Sequence, residues 1–231
     1  MKDLSRRAKP RIWHTDWLIL RGLTGVLSDQ IGQRLAHGAQ LVDLGCGAMP
    51  YRTLLLQAGI QYLGADIDGK ADLLIDRNGR VPLDPASSDA ILSIQVLEHV
   101  SDLDAYCSEI HRLLRDDGIL LLSTHGSWLY HPHPGDYRRW TRPGLVDELG
   151  RRGLAVESTI SLVGPLATTT LIRLTGFAFM LRRLPYVGWF LANVLAVLMN
   201  LRALLEDKVT PRSFSEENAC VYFVTARKAR A

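Results

Sequence analysis

A chain of 231 residues, 47% hydrophobic and 22% charged, carries enough apolar material for one sizeable core and too much for a disordered chain. Its formal net charge of +3 comes from 27 Lys and Arg against 24 Asp and Glu, and the cations are scattered instead of forming an aromatic-interleaved stripe, which argues against nucleic acid as a partner. The three cysteines, Cys46, Cys107 and Cys220, are odd in number and far apart, which excludes a disulfide framework and a paired-cysteine zinc site and fits a reducing cytoplasm.

The opening segment MKDLSRRAKPR is basic, but the apolar run after it, Trp17 to Leu20, stops at Arg21 and is too short for the core of an export signal. Apolar residues at helical spacing from about residue 13 to 35, among them Trp17, Leu20, Leu23, Leu27 and Ile31, predict an amphipathic leading helix over one edge of the core. Residues 1–38 would thus form a helical cap.

Short apolar runs then alternate with helical stretches. Strands are predicted at 40–44, 61–66, 73–76, 89–95 and 118–124, and helices at 51–58 and 103–114. That alternation predicts a doubly wound, mostly parallel α/β sheet. A helix over 142–152 follows, opened by Thr141 as N-cap and Pro143 in the first turn, then strands at 154–162 and 220–226. The whole chain, 1–231, is read as a single domain with an apolar helical insertion at 164–216 before the last strand.

The sharpest motif is LVDLGCGAMPY at 41–51, a strand running into a glycine turn that opens a helix. Glycine at 45 and 47 lets the backbone pass close to a ligand where a Cβ would collide, and in a doubly wound sheet this turn sits outside the carboxyl end of the first strand, where ligands bind. A plain tight turn could carry the same two glycines. Asp43 just ahead of the turn, and Asp66 ending the next strand where a carboxylate can take both ribose hydroxyls, favour a nucleotide. A dinucleotide fingerprint would place a third glycine where Pro50 stands, and an anionic Asp43 does not suit a pyrophosphate. It suits the cationic ammonium and sulfonium of S-adenosylmethionine, which leaves an NAD-dependent oxidoreductase as the rival reading.

The run Asp43-Leu-Gly-Cys-Gly47, the acid Asp66, the segment SDAILSIQVLEHV at 88–100 and LLRDDGILLL at 113–122 together resemble the successive motifs of class I S-adenosylmethionine-dependent methyltransferases, in the small-molecule, type 11-like branch. The resemblance spans roughly residues 39–160. It implies a Rossmann-like, seven-stranded sheet with an antiparallel last strand. It also implies that Asp43, Gly45, Cys46 and Gly47 surround the methionine moiety, that Asp66 and Ile67 hold ribose and adenine, that Asp76 meets the adenine amino group, and that Gln95 and Leu97 line the floor. The family's third glycine is missing; Met49-Pro50-Tyr51-Arg52 stands there and resembles a subgroup with Pro-Tyr after the loop. Glu98 and His99 have a plain reading as caps of the next helix.

In that family the stretch 124–141, here rich in histidine and aromatics, borders the acceptor, and 133–145 resembles a signature of relatives found near glycan and lipid biosynthesis. The implied acceptor is a small molecule, a glycan or a lipid-linked compound, methylated at oxygen. His125, His131 and His133, in that order, are the expected general bases, since imidazole titrates near neutral pH. The alternative is a structural loop in which Asp136 pairs with Arg138 or Arg139 and Trp140 fills the core. The His131-Pro-His133-Pro spacing lacks the helical i, i+4 arrangement of common zinc sites, so no metal is expected.

Residues 184–201 are uncharged, at the lower edge of bilayer-spanning length, but include Pro185, Gly188, Asn193 and Asn200 and follow Arg173, Arg182 and Arg183. Because the last strand must return to the sheet, the segment 164–205 is expected either to lie on a membrane surface, at the inner face, or to pack on the core or a second copy. A non-catalytic module that binds S-adenosylmethionine or a membrane surface is the remaining functional alternative.

Overall fold

In the computed structural model, which describes residues 6–229, the apolar runs become strands because each is covered on both sides. The first five residues of the predicted cap and the last two of the predicted domain lie outside the described residues. The elements are α1 (Trp17–Arg34), β1 (Gln40–Leu44), α2 (Arg52–Gln57), β2 (Gln61–Asp66), β3 (Leu73–Leu74), β4 (Ser88–Ile94), a 3-10 turn (Leu97–His99), α3 (Leu103–Leu113), β5 (Leu114–His125), α4 (Arg142–Gly150), β6 (Leu154–Leu162), α5 (Pro165–Leu181), α6 (Gly188–Val209), α7 (Arg212–Glu217) and β7 (Val221–Lys228). They form a seven-stranded sheet in the order β3-β2-β1-β4-β5-β7-β6. Pairing is parallel from β3 to β5, and β7 runs antiparallel to both β5 and β6.

Side chains alternate between the two faces, as the strand period of two requires. Leu121 of β5 and Phe223 of β7 enter one core with α1, α5 and α6, while Leu120, Leu122 and Val224 enter the other beneath α3 and α4. The Thr141 hydroxyl accepts from the Gly144 N–H at 3.2 Å, so the expected cap of α4 is present.

The leading helix packs at the β7–β6 end of the sheet, where β6 is the edge strand, and against α6; Leu23, Leu27 and Ile31 share a core with α5 and α6. Two expectations shift. Strand β3 is two residues long, not four, because Asp76 closes its own loop, accepting from the N–H groups of Asn78 and Arg80 at 2.8 and 2.9 Å. Strand β5 begins four residues early, pairing Leu114 with Ser88 across a bulge.

The insertion folds as α5, α6 and α7. Small residues let the two long helices sit close to the core, with Ala167, Ala178, Ala192, Ala196 and Ala203 fully buried. Gly188 begins α6 where a Cβ would stand 2.2 Å from the Leu181 carbonyl oxygen. Polar bolts fix α6: Asn200 donates to the carbonyls of Ile12 and His14 at 2.6 and 2.8 Å, and Asp207 accepts from the Gly164 N–H at 2.6 Å.

Phe223 is fully buried at the centre of this face. Phe223→Ala is expected to cost about 3–5 kcal/mol of unfolding free energy, read as a lower denaturant midpoint.

Candidate functional site

A cavity of about 1390 Å³ opens at the carboxyl ends of β1, β2, β4 and β5. At one end it is walled by the glycine turn, Asp66, Ile67, Asp76 and Gln95, and at the other by His99, His125, His131 and His133; Leu20 and Leu23 of α1 close its front.

The glycine turn is built by left-handed backbone. Gly45 has φ 75° and Gly47 φ 52°. Their reasons differ. A Cβ on Gly45 would meet Val96 at 2.7 Å, so the neighbouring loop requires that glycine; a Cβ on Gly47 would enter open space, the cradle into which a ligand fits. The Gly47 N–H donates to Asp66 Oδ2 at 2.7 Å and the Asp68 N–H to Oδ1 at 3.2 Å, which sets the carboxylate at the rim. Ile67 beside it is 65% exposed, an apolar surface suited to the flat face of a base. Gln95 also adopts a left-handed φ, 57°, at the end of β4, and its amide donates to Ser123 Oγ at 3.1 Å. Such backbone is strained for a non-glycine residue and persists where its surroundings fix it.

Two residues assigned to the cofactor stand behind the wall. Asp43 is buried and accepts from the Tyr62 hydroxyl at 2.7 Å. Burial, partly offset by that hydrogen bond, pushes its carboxyl up to about 7. Its role is therefore to hold the strand beneath the turn, and its carboxyl, which is not on the cavity wall, does not select between a pyrophosphate and a cationic ligand. Leu97 packs into the core under α3 instead of the floor. Cys46 stays on the wall as a thiol, raised to about 12 chiefly by burial.

At the other end, His125 closes β5, 5% exposed and stacked on Trp128 with ring centroids 5.9 Å apart. Burial lowers its pKa well below the usual imidazole value, with His131 and Arg139 adding to the effect, a shift that favours the neutral ring. Its Nε2 lies 3.6 Å from Glu98 Oε1. Asp136 grips Arg139 at 2.6 and 2.7 Å and Trp140 is buried, so the loop has the structural pairing the sequence suggested and still lines the cavity.

Glu98 and His99 are the residues sequence reasoning undervalued. Asp102, not either of them, caps α3, accepting from the Ala105 N–H at 2.9 Å. Both turn toward the histidine loop, where the ring of His99 lies 5.0 Å from that of His131. The signal was the Leu-Glu-His run straight after β4.

Residues 42–122 match the family model described as a methyltransferase domain. Over this stretch the chain is similar to S-adenosylmethionine-dependent methyltransferases. The chain is 28% identical over 150 residues to a probable S-adenosylmethionine-dependent methyltransferase of Mycolicibacterium smegmatis, a match covering 56% of this chain and 58% of the relative. It is 32% identical over 102 residues to a ubiquinone biosynthesis O-methyltransferase of Rhodopseudomonas palustris, covering 38% and 40%. The chain spans about half the length of the curated relatives it matches. Among solved structures, the 1,6-didemethyltoxoflavin-N1-methyltransferase of Burkholderia thailandensis, with bound S-adenosylhomocysteine, superposes with TM-score 0.54 at 18% identity, over 88% of this chain and 76% of that one. The cyclase SpnF superposes with TM-score 0.59 at 19% identity, over 90% and 82%. Likeness at these identities concerns the fold, which hosts more than one chemistry.

The raised pKa of Asp43 has a pH consequence. The folded protein keeps this proton between about pH 4 and 7, where the unfolded chain releases it, so the burial of Asp43 lowers stability as pH rises through that window. Asp43→Asn is expected to flatten this fall, read as a smaller difference in melting temperature between pH 5 and pH 7.5 than in the parent.

Proposed function

We propose that the chain transfers a methyl group to a hydroxyl oxygen of a small-molecule, glycan or lipid-linked acceptor. The observation that carries this reading is the continuity of the cavity, which joins the Asp66 and Gly47 end to the histidine end. S-adenosylmethionine, when bound, supplies an activated methyl group on a sulfonium. The open space at Gly47, the rim carboxylate of Asp66 and the exposed Ile67 fit it: Asp66 would hold the ribose, Ile67 the adenine, and the turn the methionine portion. Such a donor asks the protein mainly for alignment and exclusion of water, which the front wall from α1 provides. His125, on the cavity wall at the end of β5, would receive the acceptor's proton, with His131 and His133 nearer the rim.

The test has two arms. Asp66→Ala is expected to weaken S-adenosylhomocysteine binding about tenfold or more by calorimetry, the worth of a hydrogen bond to a charged group. His125→Asn is expected to retain that binding while turnover of labelled methyl groups falls. Label from the wild-type protein should appear in lipid, glycan or small hydroxyl compounds; its appearance only in protein or RNA would overturn the acceptor class.

A second reading, that the acceptor is lipid-linked and met at the inner face of a cytoplasmic membrane, is supported by the outer helices. Helix α6 is long and apolar enough to cross a bilayer, with mean hydropathy 1.6, yet Asn200 and Asp207 bolt it to the domain. The outer surface of the α5–α6 hairpin is apolar: Phe177, Met180, Tyr186, Trp189, Phe190 and Leu198 are each more than half exposed. Arg182 and Arg183 lie over the rings of Trp189 and Phe179, and residues 164–205 contain no acidic side chain. Aromatics flanked by arginines with no opposing carboxylate suit an anionic lipid surface. The protein is expected to sediment with phosphatidylglycerol vesicles and Trp189→Glu/Phe190→Glu to remain in solution. A wild type that ignores the vesicles, or that buries this face as a dimer, would refute the membrane reading.

A further inference from the structure

Glu98, His99 and His131 converge although they are remote in the chain. One ligand atom from each lies within 4.8 Å of the other two. Glu98 is fully buried; its Oε2 accepts from the Thr124 hydroxyl at 2.8 Å, while Oε1 has no hydrogen-bond partner. A carboxylate oxygen sealed from water and left without a donor is costly; His125 Nε2 stands 3.6 Å from it, beyond hydrogen-bond reach, and the imidazoles of His99 and His131 converge on the same carboxylate.

The tautomers of those imidazoles are set by their other nitrogens. His99 Nδ1 lies 2.5 Å from the Gly135 carbonyl and His131 Nδ1 2.9 Å from the Leu129 carbonyl. A carbonyl only accepts, so the proton of His99 is drawn to Nδ1; on His131 the Leu129 carbonyl at 2.9 Å does the same against the more distant Arg139 guanidinium at 3.4 Å, which leaves the lone pair of each ring on Nε2. Histidines that donate Nδ1–H to a backbone carbonyl and present a bare Nε2 have the arrangement typical of metal ligands. Asp136, 3.4 Å from His131 Nδ1, adds a carboxylate behind one of them.

We infer that Glu98, His99 and His131 form a binding site for a divalent transition-metal ion on the acceptor side of the cavity. Two imidazoles and one carboxylate match zinc or a similar first-row ion and not magnesium or calcium, which prefer all-oxygen shells. Bond lengths of about 2.0–2.2 Å require the three side chains to close by about 1 Å around the ion. Three protein ligands leave at least one position open, and His99 and His131 both line the cavity, so that position would face the acceptor and could seat its oxygen. Metal binding is independent of the reaction proposed above; only the ion's service to the acceptor rests on that reading. The sequence argued against a metal because the spacing of His131 and His133 was the pattern available, and His133 is not one of the three.

Calorimetric titration of the metal-stripped full chain with Zn²⁺ tests the site. One saturable site per chain is expected, weakened about tenfold or more by His99→Ala, by His131→Ala and by Glu98→Gln, and unchanged by substitution of the exposed His111. Unaltered S-adenosylhomocysteine binding in each variant would show that the fold persists. No saturable zinc site in the wild type, or equal affinity in the variants, overturns the proposal. Zinc binding without methyl transfer would sink the reaction and leave the site; transfer that survives the loss of zinc binding would deny the ion its part with the acceptor.

Discussion

The strand order reverses at β1, which pairs with β2 on one side and β4 on the other, and the rest of the site follows from that reversal. The segment leaving β1 turns to one face, where Leu55 of α2 joins the first core, while the segment leaving β4 turns to the opposite face, where Leu103 and Ile110 of α3 join the second. Two loops departing in opposite directions leave a crevice between them. They also touch: the place where a Gly45 side chain would sit is filled by Val96. The glycine turn is thus shaped by its neighbour across the reversal before any ligand arrives, and only Gly47 is left open toward one.

The sheet was legible because strands buried on both faces appear as unbroken apolar runs, and because the connecting helices carry their own stop and start residues, such as Thr141. What periodicity reports is that a face is covered, not what covers it. It therefore detected α1 but not that α6 joins Leu23 and Leu27 in the same core. Strand β3 was overestimated because the carboxyl of Asp76 bends the chain through hydrogen bonds to its own loop, an interaction with no apolar pattern.

The site was read by spacing along the chain, and Asp66, Ile67, Gln95 and the histidine loop do line the cavity, whatever each one binds there. It failed for Asp43 and Leu97, whose positions near the turn say nothing about which way the strand's side chains face: both are turned into protein, Asp43 toward Tyr62 and Leu97 into the core. It also failed to join Glu98 and His99 to His131, because proximity between the end of β4 and the loop after β5 exists only once those two strands are paired.

Asn200 joins two regions that otherwise look separate. Its carboxamide, fully buried in α6, is tied to the carbonyls of Ile12 and His14, immediately ahead of Asp16 and the helix residues that form the cavity's front wall. Shifting α6 outward without moving that segment would leave the buried Asn200 carboxamide without its two acceptors. The apolar hairpin and the wall of the cavity are thereby held to each other through a single buried carboxamide.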